Sequence, residues 1–166
     1  SREKVLEVFQ VILRQTERMG DLVKRLSPLT SSRRVFAHFD AVARVRANLE
    51  AVSTRLSSDG ITANVVAKGP VMIDGDIGHF DQITSNLIVN AIDALATHRT
   101  PGSRALRIEI REFGQSVQLT VEDNGPGFPL DGRHRIFNPF YTTKPPGKGE
   151  GLGLFIVWNL LKMQGG

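Results

Sequence analysis

Apolar residues recur through the first 26 positions at Val5, Phe9, Ile12, Met19, Val23 and Leu26, with Thr16 in the remaining place of the series. The steps are 4, 3, 4, 3, 4 and 3, the heptad spacing of a helix that packs one stripe against another helix. Two readings fit: half of a helical hairpin whose other helix lies outside this sequence, or an amphipathic helix lying on its own domain. Ser27-Pro28 predicts its end, because proline cannot continue the hydrogen-bond ladder. After a polar turn over 30–34, Val35 to Asp40 alternates as a short strand, and 41–57 carries Val42, Val45, Leu49, Val52 and Leu56 on one helical stripe. Beyond the turn Ser57–Gly60, Ile61–Ala67 and Val71–Ile73 read as strands around the Gly69-Pro70 break. Asp76 is placed to cap a long helix reaching about Thr97, with Phe80, Ile83, Leu87, Ala91 and Ala94 as its buried stripe. Ala105–Phe113 and Ser116–Glu122 alternate as two strands joined across Gly114-Gln115. A glycine- and proline-rich stretch, 123–151, then leads into a last helix, Leu152–Gln164, stopped by Gly165-Gly166. The pattern predicts an α+β fold: a two-layer α/β sandwich, with a mixed sheet carrying helices on one face, preceded by a helical arm.

Composition narrows this. At 166 residues and 40% hydrophobic content the chain suits one compact domain with an appended element. No apolar run approaches the roughly 20 residues needed to cross a bilayer, and no secretory leader opens the sequence. The expectation is a soluble cytoplasmic piece, compatible with a parent anchored in the inner membrane. The absence of cysteine removes disulfides and thiolate metal sites and sits easily with a reducing compartment. The net charge of +4 comes with scattered arginines and few aromatics, not the clustered basic face of a nucleic-acid binder.

Three segments carry chemistry. On the long helix, Asn86, Asn90 and Asp93 recur at i, i+4 and i+7 and share one face. They offer the hard oxygen ligands that Mg²⁺ accepts alongside water and phosphate, although asparagines on a helix also serve as local hydrogen-bonders. Asp123-Asn-Gly-Pro-Gly-Phe128 follows a strand. A carboxylate buried there can accept a bond from an exocyclic amine such as that of adenine, and Gly125 and Gly127 let backbone approach a ligand. A plain turn is the other reading. Gly147-Lys-Gly-Glu-Gly-Leu-Gly153 directly precedes a helix, so successive N–H groups and the helix N-terminus can cradle phosphate. It is neither a P-loop, since Gly149 follows Lys148, nor G-x-G-x-x-G, since Leu154 stands where the third glycine belongs. Lys144 is a candidate phosphate-seeking cation, or else a solvated loop lysine.

The order Asn-x-x-x-Asn-Ala (from Asn86), DNGPGF (from Asp123), IFNPFYTTK (from Ile136) and GEGLGL (from Gly149) resembles the N box, first glycine box, phenylalanine box and second glycine box of histidine protein kinases. Their catalytic domains share the Bergerat ATP-binding fold with type II topoisomerases, Hsp90 and MutL. The resemblance implies ATP and Mg²⁺ as cofactors. It makes Asn90 the metal ligand with Asn86 in support, and puts Asp123 on the adenine amine with Gly125 and Gly127 shaping the pocket. Gly149, Gly151 and Gly153, flanked by Leu152 and Leu154, would cradle phosphates. A lid over about 129–148 would be anchored by Phe137 and Phe140. Its Thr142, Thr143 and Lys144 would line the site, with Lys144 on phosphate and acting beside Asn86 and Asn90 in catalysis. The Thr-Thr-Lys lid is similar to that of nitrogen-regulation and dicarboxylate-transport sensor kinases. Many histidine kinases carry a basic residue at position 93; Asp93 departs from that, lies on the same ligand-binding face, and leaves neutralisation to Lys144 and Mg²⁺.

The hydrolysing members of the fold carry a glutamate where this chain has Asn86, which cannot act as a base. A neutral imidazole acceptor needs no base, so Asn86 favours phosphotransfer. His38, His79, His98 and His134 lack the acidic neighbour of a family phosphoacceptor and are read as ordinary residues. By resemblance, 1–29 is the second helix of a dimerisation and phosphoacceptor hairpin, and 30–166 is the catalytic domain, with a final strand and the acceptor histidine outside this sequence. The implied partners are an acceptor helix of the same or a partner subunit, a response-regulator receiver domain, and a second copy in a full-length homodimer. The alternatives are a nucleotide-binding pseudokinase scaffold and a Bergerat-fold ATPase.

Overall fold

The computed structural model describes residues 2–30, 35–97, 103–114, 116–128, 132, 134–145 and 149–164. The chain divides into two compact units, Ser1–Arg34 and Val35–Gly166.

The first unit is one helix, α1 (Arg2–Thr30). Its Val5, Phe9, Ile12, Met19 and Val23 are each more than half exposed. Thr16, the polar member of the stripe, donates its hydroxyl to the Ile12 carbonyl (2.9 Å) and so needs no partner from outside the helix. The helix does not stop at Ser27-Pro28 as expected. Proline fixes a φ that suits a helix and removes a single hydrogen bond, and this one lies within the last turn. The turn expected over 31–34 lies outside the described residues.

In the second unit come β1 (Phe36–Asp40), α2 (Ala41–Ala51), α3 (Ser53–Ser58), β2 (Ile61–Val66), β3 (Met72–Asp76), α4 (Ile77–Thr97), β4 (Arg104–Phe113), β5 (Ser116–Asp123) and α5 (Gly153–Met163). The strands form two hydrogen-bonded sets, β1-β3 and β2-β4-β5. The second is mixed: β2 runs parallel to β4, and β5 antiparallel to it. β3 extends past the expected Ile73 because it pairs with β1 along its whole length, from Phe36 opposite Asp76 to Asp40 opposite Met72. The single helix expected over 41–57 is divided at Val52 (φ −112°, ψ 11°). Leu49, Val52 and Leu56 nonetheless all pack on the same core, so their spacing carries no sign of the break.

Alternation in β4 explains the layers. Leu106, Ile108 and Ile110 are buried, while Arg107 and Arg111 point the other way and bond Glu122 (3.3 Å) and Gln118 (2.8 Å) of β5. The buried row meets Ala41, Val42 and Val45 of α2 and Ile88, Ala91, Ile92 and Leu95 of α4 in one cluster, so helices cover one face. The core row of α4 is therefore shifted from the expected one: Ile83 and Ala91 are buried, but Phe80, Leu87 and Ala94 are only partly so. Phe80 stacks edge-on to Phe39 (5.4 Å), and α4 also packs against α5, so two flanks of the helix are covered.

The N-terminal part of the long helix is fixed by polar contacts. Asp76 accepts the His79 N–H at one oxygen (3.0 Å) and the Val35 N–H at the other (3.1 Å), which caps α4 as its sequence predicts. Along the α2 side, Arg44 bonds Asp81 through Nε (3.0 Å) and Asn48 bonds Thr84 (2.6 Å). These contacts set the rotation of α4, and with it the direction in which its asparagines face. Among the described residues no helix is long and apolar enough to cross a membrane.

Candidate functional site

Three stretches distant in sequence meet along α4. The first follows β5. The Asp123 carboxylate accepts the Gly125 N–H at Oδ1 (2.9 Å), which fixes its orientation. A Cβ at Gly125 would lie 2.7 Å from that oxygen and would displace the carboxylate, while Ala94 of α4 stands at ordinary contact distance, 3.5 Å. Asp123 itself is exposed, not buried as its strand-end position suggested, because β5 ends at Asp123 and the turn carries the carboxylate clear of the core. Gly127 has φ 71° with open space about its Cβ direction, so its requirement is conformational alone.

The second stretch is the loop that opens α5. A Cβ at Gly153 would come within 3.3 Å of the Asn90 Nδ2, so the first turn of α5 lies directly against the α4 asparagine. Leu152, at the N-cap, supplies no side-chain hydrogen bond to the N–H groups of the first turn. Leu152 is buried and can offer a ligand only its backbone, while Leu154 is half-buried. Gly149 lies under the Lys144 side chain: a Cβ there would meet Lys144 Cδ at 2.8 Å and Thr142 Oγ1 at 3.0 Å. Gly151 has a different reason. Its φ is 68°, and a Cβ would lie 2.4 Å from the Phe140 carbonyl carbon and 2.6 Å from the Tyr141 nitrogen. Gly147, Lys148 and Gly165-Gly166 lie outside the described residues.

The third stretch is 134–145. Phe137 packs on Trp158 of α5 (5.1 Å between rings), which fastens this segment to the helix it precedes. Phe140 acts differently from the anchor expected of it. Its ring is 68% exposed and its backbone takes φ 64°, rare for a non-glycine residue; what packs is its backbone, against Gly151. Thr142 Oγ1 accepts the Lys144 N–H (3.1 Å), and Thr143 is exposed. Lys144 is not a solvated lysine: it forms an ion pair with Asp93.

Along α4, Asn86 accepts a bond from Gln82 (3.3 Å), and its Nδ2 is buried without a hydrogen-bond partner. Such an orphaned donor is costly unless something meets it. Asp93 takes Lys144 Nζ at Oδ2 and Arg55 Nη2 of α3 at Oδ1. Burial pushes the Asp93 carboxyl up, but the bonds from Lys144 and Arg55 outweigh it and hold its pKa below the ordinary aspartate value. Arg55 and Trp158 belong to no motif. The signal that could have found Trp158 is an aromatic on the exposed side of α5; Arg55 has none, because its partner is 38 residues away. Of the other histidines, His79 is buried at the start of α4, His38 bonds Asp74 (2.9 Å) and His134 is exposed; His98 lies outside the described residues.

The Asp123 turn, the N-terminus of α5 and Lys144 thus gather along the α4 face that carries Asn86, Asn90 and Asp93. Residues 75–166, more than half the chain, match the family described as histidine kinase-, DNA gyrase B-, and HSP90-like ATPase. The chain is 40% identical over 57% of its length to the sensor kinase CckA of Brucella abortus. It is 38% identical over 76% to the C4-dicarboxylate transport sensor protein DctB of Pseudomonas aeruginosa, and 36% over 90% to the two-component sensor PprA of the same organism. It spans 11%, 19% and 18% of those proteins' lengths. Among solved structures it is similar to full-length ShkA in complex with AMPPNP (26% identity, TM-score 0.75, covering 96% of this chain and 34% of that one). It is also similar to the mycobacterial sensor histidine kinase MprB (26%, TM-score 0.63, covering 79% and 81%). The expected α+β fold with its helical arm is thus the fold of histidine kinase catalytic domains, and the chain belongs to the histidine kinase-, DNA gyrase B- and HSP90-like ATPase family, as the catalytic domain of a two-component sensor histidine kinase.

Proposed function

We propose that this chain binds Mg-ATP along α4 and donates the γ-phosphoryl group to a histidine on an acceptor helix, for onward transfer to a response-regulator aspartate. The observation that carries the reading is the approach of Gly153 and Asn90, which puts the N-terminus of α5 beside a metal-ligand type of side chain. The residues fit such a group: the unpartnered Asn86 Nδ2 suits an anionic oxygen or a water, and Gly149 and Gly153 let Lys144 and Asn90 come close to the loop backbone. Asn90 would hold Mg²⁺, which takes few protein ligands and neutralises charge on phosphate. Asp123, oriented by Gly125, would accept the adenine amine. The backbone at 149, 151 and 153 would receive phosphate oxygens, and Lys144 would add a cation to them. Thr142 and Thr143 would border the site beside Lys144, and the Phe137 ring on Trp158 and the Phe140 backbone on Gly151 would hold the segment that carries them. ShkA, whose structure contains AMPPNP, is a relative in fold.

Asn86 offers no carboxylate to activate water, so transfer to an imidazole, which is nucleophilic without a base, is favoured over hydrolysis. α1, with its exposed heptad stripe, serves in this reading as the second helix of a dimerisation hairpin, pairing with an acceptor helix and a second copy in a cytoplasmic kinase core. Calorimetry with Mg²⁺ and a non-hydrolysable ATP analogue is expected to show binding that weakens at least roughly tenfold in Asn90→Ala, the loss of a charge-assisted contact. A separately supplied histidine-bearing helix should then acquire acid-labile radiolabel from ATP. A folded chain that takes up no nucleotide would sink the proposal; binding without transfer would instead support a pseudokinase scaffold, a reading favoured by the engagement of Lys144 with Asp93.

A further inference from the structure

We propose that Arg55, on α3 and outside every nucleotide-binding motif, is a positioning residue that releases Lys144 to phosphate by keeping Asp93 neutralised when Lys144 leaves it. The inference rests on the ATP reading above. Asp93 has one cation on each oxygen: Arg55 Nη2 at Oδ1 and Lys144 Nζ at Oδ2. Its side chain is only 21% exposed, against 28% for Lys144 and 41% for Arg55. A carboxylate this far from water is costly to leave unpaired. With Arg55 in place, Lys144 can depart and Asp93 still has a partner whose planar guanidinium holds it. Without Arg55, departure of Lys144 would strand a partly buried charge, so Asp93 would grip the lysine.

Position and chemistry support a hand-over from Asp93 to an anion. The Lys144 stem crosses Gly149, the first glycine of the candidate phosphate loop, and Asp93 follows Asn90 by less than one helical turn. The short step from Asp93 to a phosphate near Asn90 is within the swing of a lysine side chain. Arg55 is itself held by Asp59 (3.6 Å) within its own helix segment, which keeps it on Asp93 and away from the ligand. With Asp59 the cluster sets two carboxylates against two cations and is neutral overall, and only Lys144 of those cations is free to move toward an anion.

The test is a mutant cycle read by nucleotide binding and by amide exchange. Arg55→Gln is expected to weaken binding of the Mg-bound ATP analogue roughly five- to twentyfold, the range for stranding a charge that is partly screened by solvent. Asp93→Asn in the same chain should bring affinity back to within about threefold of wild type, because the neutral amide no longer holds the lysine. Arg55→Lys, which keeps the charge but not the fork, should fall between the two. Without nucleotide, backbone exchange across 141–145 should slow in Arg55→Gln and quicken in Asp93→Asn. Exchange elsewhere in the sandwich at the wild-type rate shows that Arg55→Gln is folded. Arg55→Gln binding like wild type, or losing affinity that Asp93→Asn does not restore, would overturn the hand-over while leaving the ATP reading intact. Failure of wild type itself to bind nucleotide would overturn both.

Discussion

At the scale of single residues, the glycine loop shows how one motif serves several physical needs. Alternating glycines at 149, 151 and 153 suggest a uniform row of exposed N–H groups, yet each glycine is required by a different neighbour. Gly151 is the most constrained, combining a φ of 68° with backbone atoms of Phe140 and Tyr141 inside 2.7 Å of where a Cβ would stand. Backbone cannot rotate away as a side chain can. Gly151→Ala is expected to lower stability by roughly 2–4 kcal/mol, from left-handed strain plus overpacking. Gly127→Ala, with the same sign of φ and open space, should cost only about 1–2 kcal/mol. Urea unfolding of the two variants checks the difference, and equal losses would mean that the segment 140–141 yields freely. The motif residues themselves were legible in the sequence because their types and order are local. Arg55 was not, since an arginine on a polar helix carries no mark of the carboxylate it will meet in space. The exposure of Asp123 was likewise invisible, because the alternation of β5 says where a strand runs and not how the following turn lifts its last carboxylate.

At the scale of elements, the sequence located α4 and its cap but only part of its core row: Ile83 and Ala91 are buried as expected, Leu87 and Ala94 only partly. The reason is physical: α4 meets the sheet and α2 on one flank and α5 on another, so apolar residues spread over more than one row and periodicity alone selects none. Ile92 is fully buried in the main cluster, whereas Leu87 is only partly covered. Ile92→Ala is expected to cost roughly 2–5 kcal/mol, as for a large aliphatic residue deleted from a packed core. Leu87→Ala should cost less than half as much, and both are measured as shifts in the urea midpoint at constant slope. A larger loss at Leu87 would mean that the α5 flank, not the sheet, anchors the helix. The same limit explains the missed break at Val52 and the late end of β3: the first leaves the stripe intact, and the second is set by a partner strand more than thirty residues away.

At the scale of the whole molecule, α1 and the sandwich make different demands on the chain. The main core cluster is drawn entirely from Ala41 to Ile110, with Val117, Leu119 and Val121 packed on it, and every proposed nucleotide contact lies between Asn86 and Leu154. Val5, Phe9, Ile12, Met19 and Val23 of the α1 heptad stripe, in contrast, stand exposed. Stability and nucleotide binding should therefore reside in the second unit, and phosphotransfer should depend on what α1 pairs with. A chain of residues 35–166 is expected to unfold cooperatively, with its midpoint and its affinity for the Mg-bound analogue within about twofold of the longer chain. Its rate of transfer to an acceptor helix should drop if α1 is the surface on which that helix docks. Urea unfolding and calorimetry test the first statement, and radiolabel transfer the second. Loss of cooperative unfolding on removal of 1–34 would show that α1 is part of the sandwich's own core. Full transfer without α1 would show that the acceptor is recognised by the catalytic unit alone.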